Sequence, residues 1–234
     1  KEHGLIVIED AAHALGASYK GKKVGGLSSD MVCFSFHPVK PITTGEGGMV
    51  VTDSQELYQR LLLFRSHGIT RDAGLMTENQ GAWYYQQLEL GYNYRITDIS
   101  CALGISQLAK LEPFLERRRQ VAKNYDGAFQ GIEGIKIPKQ LPGCESGWHL
   151  YMAQFLGKGR KEVFDRLREA GVGVNVHYIP VYKHPYYQKH GYAGCCCPNA
   201  EAFYSRAVSL PIFPGLTEKE QDYIIEKITV LMAS

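Results

Sequence analysis

The sequence predicts an α/β fold over its first part, followed by a smaller α+β unit towards the carboxyl end. Two observations carry this. Apolar strand-like runs alternate with loops and a capped helix in the first third of the chain, whereas short strands mix with helical patterns beyond Phe129. Leu5-Ile6-Val7-Ile8 is continuously apolar and ends in Glu9-Asp10, the pattern of a parallel strand buried on both faces.

The remaining elements follow in order. Met31-Val32-Cys33-Phe34-Ser35-Phe36 reads as a second strand and Gly48-Met49-Val50-Val51-Thr52 as a third. Asp53 or Ser54 then caps a helix to about His67, with Leu57, Leu61 and Phe64 on one face. Gly68 to Tyr92 is rich in glycine and aromatic residues and has little periodicity. A loop of that length in a compact domain usually serves a function or an interface. Thr97-Asp98 opens a helix carrying Ala102, Ile105, Leu108 and Leu111, and Pro113 starts a longer charged one reaching Phe129. Ile135-Lys136-Ile137 and His149 to Leu156 are expected as strands and Arg160 to Ala170 as a helix. Gly173 to Tyr178 is expected as an edge or inter-domain segment. Thr217-Glu218-Lys219-Glu220 is a capping box opening the last helix, with Ile224, Ile228 and Leu231 facing inward.

Composition excludes several classes. The 26 basic residues are matched by 24 acidic ones, so no nucleic-acid partner is expected. The one basic run, Arg117-Arg118-Arg119, follows Glu112 and Glu116 in a helical pattern and reads as a solvated helix face. No stretch approaches the roughly 20 continuous apolar residues that span a bilayer, so no membrane partner is expected. Six cysteines are present, three of them consecutive at Cys195-Cys196-Cys197. They lack the paired spacing of a structural zinc site, so no metal is expected, and free thiols in a reducing cytoplasm are the natural reading. The chain opens Lys1-Glu2-His3-Gly4 and runs directly into a strand, as expected of the carboxyl-terminal portion of a longer protein.

The chemistry begins with SFHPVKPITTGEGG, residues 35–48, which holds Lys40 between Pro38 and Pro41 after a strand and before glycines. Schiff-base chemistry needs a neutral amine in a dry, shaped site, and flanking prolines limit the loop's freedom. Asp10 ends the first strand, where open α/β sheets present ligand groups. Strand geometry alone is equally compatible with a helix-capping role for it. A pyridoxal phosphate (PLP) enzyme needs a lysine for the cofactor aldehyde and an acid that keeps the ring nitrogen protonated. Asp10 and Lys40 can meet that need, and Ser35 can donate its hydroxyl to the cofactor phosphate.

EDAAHALG (9–16), SFHPVKPITTGEGGMVVT (35–52) and GYNYRITDISCALGISQLAKL (91–111) resemble, in that order, the DegT family of sugar aminotransferases. The likeness covers nearly the whole chain. It implies the aspartate aminotransferase-like fold type I of PLP-dependent transferases. Residues 1–111 would hold the carboxyl-terminal portion of the large PLP-binding domain and 112–234 the small carboxyl-terminal domain. VNVHYIPVYKHPYY (174–187) and CPNAEAFYSRAVSLPIFPGLTEKEQDYI (197–224) further resemble the UDP-4-amino-4,6-dideoxy-N-acetyl-β-L-altrosamine transaminases of pseudaminic acid biosynthesis.

Residue by residue, the resemblance implies that Lys40 carries the cofactor and that Asp10 pairs with its ring nitrogen. His13 lies beside the ring, or orients Asp10 from behind it. Ser35 holds the phosphate, and Asn93 reaches the phosphate of the neighbouring subunit, so a homodimer shares its active sites. His177 and Tyr178 match a segment near the sugar-nucleotide entrance, where inter-domain packing is the competing role. Tyr182, Tyr186 and Tyr187 would stack on a uracil or fill a surface groove. The implied partners are a UDP-linked 4-keto-6-deoxy-N-acetylhexosamine and L-glutamate. The family has a long amino-terminal part before the Asp10 motif, and here nine residues precede it. A truncated or non-catalytic PLP-fold module is therefore one alternative. The other is a PLP-dependent sugar dehydratase, which in this family goes with histidine at the position of Lys40.

Overall fold

The computed structural model describes residues 2–233. The chain divides into two compact units, Lys1–Leu111 and Glu112–Ser234.

The first unit is built on strands β1 (Ile8–Asp10), β2 (Ser18–Tyr19), β3 (Lys22–Lys23), β4 (Met31–Ser35) and β5 (Gly48–Val51). Helix α1 (Gln55–Arg65), strands β6 (Ile69–Thr70) and β7 (Gln86–Gln87) and helix α2 (Asp98–Leu108) follow. Strands β1, β4 and β5 form one sheet in the order β1-β4-β5, with β1 parallel to β4 and β5 antiparallel to it. Ser54 caps α1 by accepting the Leu57 N–H at 3.3 Å, and Thr97 caps α2 by accepting the Ser100 N–H at 3.2 Å.

Burial in this unit departs from the pattern the sequence suggests. Leu5 to Ile8 was expected to be sealed on both faces, yet only Ile8 enters the strand, and Leu5 is 71% exposed. The reason is topological: β1 is an edge strand with β4 as its one neighbour in the sheet. Neither α1 nor α2 contains a buried residue, and Ile105 on α2 is 75% exposed. Leu57, Leu61 and Phe64 reach only partial burial.

The second unit holds α3 (Leu111–Phe129), β8 (Ile135–Lys136), β9 (Cys144–Glu145), β10 (Tyr151–Phe155) and α4 (Arg160–Glu169). Short helical turns, including α5 (Pro185–Tyr187), lead to α6 (Pro198–Tyr204), β11 (Ala207–Leu210) and α7 (Glu218–Ala233). Strands β11, β10 and β8 make an antiparallel sheet in that order. Tyr125 and Phe129 of α3, Val163 and Leu167 of α4 and Ile224, Ile228 and Leu231 of α7 close over it into one apolar core. Tyr125 stacks on Phe129 at 5.6 Å and donates its hydroxyl to the Pro211 carbonyl at 2.9 Å, so its polar end is satisfied inside the core. The capping box forms as the sequence suggests. Thr217 accepts the Glu220 N–H at 3.2 Å, and the Glu220 carboxylate accepts the Thr217 N–H at 2.9 Å. Among the described residues no helix is long and apolar enough to cross a membrane.

The arginine run is not a solvated face. Arg118 is 4% exposed, and its Nη1 donates to the carbonyls of Ile212 at 2.8 Å, Trp148 at 3.1 Å and His149 at 3.4 Å. Arg117 donates to the Leu216 carbonyl at 2.6 Å. Burial lowers the Arg118 guanidinium to a pKa of about 10, which leaves it charged at neutral pH. Its role is that of a strut tying α3 to the segments on either side of the sheet. Arg118→Met would remove the cost of burying a charge but leave those carbonyls without their donor, at about 1–3 kcal/mol each. A net loss of about 3 kcal/mol in the stability of the full-length protein is expected from denaturant titration. A loss below about 1 kcal/mol would show that the strut is dispensable.

Candidate active site

The parallel pairing of β1 with β4 sets Asp10 opposite Cys33, two residues before β4 ends at Ser35. Both strands thus deliver their carboxyl ends to the same edge of the sheet. This is where an open α/β sheet presents its ligand groups. The Ala11 N–H donates to the Cys33 carbonyl at 2.9 Å and extends the register past the strand. Asp10 Oδ1 accepts the Ala12 N–H at 3.0 Å, which turns the chain towards His13. Asp10 and His13 are both exposed, so Asp10 is not the sealed carboxylate that a buried strand would have carried.

Lys40 sits on a loop pinned at its neck. The Phe36 N–H donates to the Gly47 carbonyl at 2.9 Å, and the Phe36 carbonyl accepts both the Thr44 N–H at 3.0 Å and the Thr43 hydroxyl at 2.9 Å. Thr43 Oγ1 also accepts the Gly45 N–H at 2.9 Å, and the Thr44 hydroxyl donates to the Glu46 carbonyl at 2.7 Å. The Lys40 N–H closes a turn onto the His37 carbonyl at 3.0 Å. Pro41, Ile42 and Thr44 are buried beneath the loop. Gly47 is obligatory here: a Cβ would lie 2.3 Å from Thr44 Oγ1. This clasp was not foreseen from the sequence, although the Thr43-Thr44-Gly45 run that makes it is plain to see there.

Two opposing forces act on the Lys40 amine. Burial holds its pKa below the usual lysine value, and the negative charge of Asp10 pushes it part of the way back. The net shift is downward, in the direction of the neutral amine that condensation with a carbonyl requires, and the opposing Asp10 contribution places Asp10 and Lys40 within electrostatic reach of each other. Ser35 is half-buried at the foot of the loop, and its hydroxyl oxygen accepts the His37 N–H at 3.3 Å, leaving its own proton available to an anion. A pinned and partly desolvated lysine, a nearby carboxylate and a hydroxyl at one sheet edge fit PLP as a donor set.

Asn93 is held by another part of the same unit. It forms an antiparallel bridge with Ser66 beyond α1, flanked by hydrogen bonds from the His67 N–H to the Tyr92 carbonyl at 2.8 Å and from the Tyr94 N–H to the Arg65 carbonyl at 2.9 Å. The backbones come so close that a Cβ on Gly91 would fall 2.2 Å from the Gly68 nitrogen. Tyr92 and Tyr94 stack on one face at 4.7 Å, so Asn93 projects from the other, and it is exposed. The structure therefore brings Asp10, Ser35 and Lys40 to one edge and presents Asn93 separately on a braced segment.

His177 and Tyr178 lie in the second unit. The bridge between Asn175 and Ser209 lays their segment beside β11, and His177 Nδ1 is 2.7 Å from the Ser209 hydroxyl. Their rings meet edge to face at 4.5 Å, with Tyr178 exposed. Tyr182 commits its hydroxyl to Glu201 at 2.9 Å, whereas Tyr186 stacks on His190 at 4.2 Å.

Residues 1–229 match the sequence profile of the DegT/DnrJ/EryC1/StrS aminotransferase family. The UDP-4-amino-4,6-dideoxy-N-acetyl-beta-L-altrosamine transaminase of Campylobacter jejuni strain 81-176 is 40% identical over 227 residues, covering 96% of this chain and 58% of that protein. Among solved structures, Helicobacter pylori PseC, an aminotransferase involved in the biosynthesis of pseudoaminic acid, superposes with a TM-score of 0.89 at 33% identity. It covers 99% of this chain and 60% of that one. The PLP form of Spr1654 from Streptococcus pneumoniae gives a TM-score of 0.88 at 32% identity over 97% of this chain and 58% of that one. The chain spans about 60% of the length of the curated relatives it matches.

Proposed function

The chain belongs to the DegT/DnrJ/EryC1/StrS family of PLP-dependent aminotransferases, and from that premise we propose that the full-length protein is a nucleotide-sugar transaminase. It takes the amino group of L-glutamate, releasing 2-oxoglutarate, and delivers it to the 4-keto carbon of a UDP-linked 4-keto-6-deoxy-N-acetylhexosamine. The product is a UDP-4-amino sugar of the kind used for pseudaminic acid-type glycans. The observation that carries this reading is the Lys40–Asp10 pair at one sheet edge, with the lysine partly desolvated on a pinned loop.

PLP, when bound, supplies an aldehyde that receives the amino group and a protonated ring that accepts electrons. The chain's own residues do the rest. Lys40 holds the cofactor in the resting enzyme, and its freed amine is the base and acid that moves the proton at the reacting carbon. A partly desolvated amine suits that task, because it exchanges its proton at lower pH than a solvated lysine. Asp10 keeps a proton on the ring nitrogen, and His13 lies in the turn that follows, one residue past the Ala12 N–H that Asp10 accepts. Ser35 and, from the neighbouring subunit, Asn93 hold the phosphate, which makes the working unit a homodimer with shared sites. His177 and Tyr178 contact the sugar nucleotide, and the compartment is the cytoplasm. Residues 1–111 form the carboxyl-terminal portion of the large domain in this reading and 112–234 the small domain.

The test is a panel of UDP-linked 4-keto sugars offered to the full-length protein with L-glutamate. The expected result is 2-oxoglutarate release matched one to one by a 4-amino sugar. Release with a keto acid or an aldehyde as acceptor, and with no keto sugar, would reassign the substrate class.

A further inference from the structure

Gly104 stands inside α2, where glycine is less favourable than alanine by about 1 kcal/mol. What faces it accounts for its presence. A Cβ at Gly104 would lie 2.9 Å from Thr44 Cγ2, closer than real side chains approach. Thr44 belongs to the Lys40 loop and is 5% exposed. On its hydroxyl side, a Cβ at Gly47 would lie 2.3 Å from Thr44 Oγ1. Thr44 is thus wedged between two glycine backbones, one in its own loop and one in α2. The segment leading into α2 meets the loop as well, since Ile96 Cδ1 is 3.0 Å from the place of that same Gly47 Cβ.

We propose that Gly104 is a positioning residue for Lys40 that acts through Thr44: the bare helix backbone at 104 is the stop against which the lysine loop is set. The inference rests on the reading of Lys40 as the residue that holds the cofactor. A methyl group at 104 leaves Thr44 two ways to move. Rotation of its side chain takes the hydroxyl off the Glu46 carbonyl, now 2.7 Å away. A backbone displacement takes its N–H off the Phe36 carbonyl, now 3.0 Å away. Either movement opens the neck of the loop four residues after Lys40 and lets water reach the amine. Burial is the larger influence on that amine and Asp10 the smaller, so wetting it raises its pKa towards the usual lysine value.

The ionisable residues of the elements that meet here are Asp10 and Cys33 at the sheet edge, His37 and Glu46 in the loop, and Asp98 and Cys101 in α2. Glycine, alanine, threonine and serine carry no charge, so exchanging them leaves all six in place. A change at Lys40 then reports the setting of the loop.

The experiment records the pH profile of Lys40 acetylation by acetic anhydride in PLP-free full-length protein, read at that residue by peptide mass spectrometry. Gly104→Ala moves the profile to higher pH. Thr44→Ser, which loses the methyl and keeps the hydroxyl, stays with the parent. Combining the two gives the new methyl the space it needs and brings the profile back. A role in helix stability alone predicts no such pattern, because alanine favours the helix. The readout uses neither cofactor nor sugar, so its failure is distinct from failure of the transaminase reading in the substrate panel. An unmoved or lowered profile in Gly104→Ala, a shift in Thr44→Ser, a shift that persists in the double variant, or a Gly104→Ala protein that does not fold would each overturn the proposal.

Discussion

Replacing Lys40 by alanine in the full-length protein is expected to abolish transamination and covalent attachment of PLP while leaving the fold intact. The loss reaches at least the 10²–10⁴-fold range expected of a missing acid–base group, and the missing anchor for the cofactor adds to it. The fold survives because the clasp below the lysine is made by Phe36, Thr43, Thr44 and Gly47, none of which depends on the Lys40 side chain. Borohydride reduction of the parent followed by peptide mapping should place the pyridoxyl group on Lys40. Recovery of that group on another lysine would sink the assignment. The same variant tests the shared site. If the site is shared as proposed, a mixture of Lys40→Ala and Asn93→Asp subunits regains one intact site per mixed dimer, because both lesions then fall in the other site. Activity then rises to about a quarter of the parent's with random, equal mixing. No recovery despite proven subunit exchange would put Asn93 in its own chain's site.

What the sequence reveals depends on whether a feature is local. The capping box at Thr217–Glu220 and the cap at Thr97 are spelled out within four residues, and both form as written. The antiparallel sheet of the second unit has apolar residues at alternating positions of β10, and these become its core. Arg118 was misread because a helical run of charges looks the same whether or not three distant carbonyls wait for one of them. Leu5 to Ile8 was misread because burial belongs to the neighbours of a strand, and β1 has one neighbour in its sheet. In the site, Lys40 stands out through its two prolines, but the clasp made by the Thr43 hydroxyl and the Thr44 N–H depends on the Phe36 carbonyl, seven or eight residues back. Nothing in the composition of residues 68–92 announced that Gly68 and Gly91 would let two backbones touch and so brace Asn93.

Asp10→Asn separates two effects that a single activity assay would confound. The asparagine keeps an oxygen where Asp10 Oδ1 accepts the Ala12 N–H, so the turn at the end of β1 should persist and PLP should still bind. The amide cannot hold a proton on the ring nitrogen, and turnover in the full-length protein should fall on the order of 10²-fold or more, as for a lost transition-state electrostatic contact. The effect on Lys40 runs in the opposite sense. The Asp10 carboxylate raises the lysine's pKa against the lowering by burial, so its removal lets burial act unopposed and the pKa falls further. In PLP-free protein, the pH profile of Lys40 acylation by an amine-directed reagent should therefore shift to lower pH in the variant. The combination is diagnostic: a more readily neutral lysine in a far slower enzyme means that Asp10 acts on the cofactor and not through the lysine's protonation. Near-normal turnover would make Asp10 a turn residue. An unmoved acylation profile would mean that the carboxylate does not face Lys40 in solution.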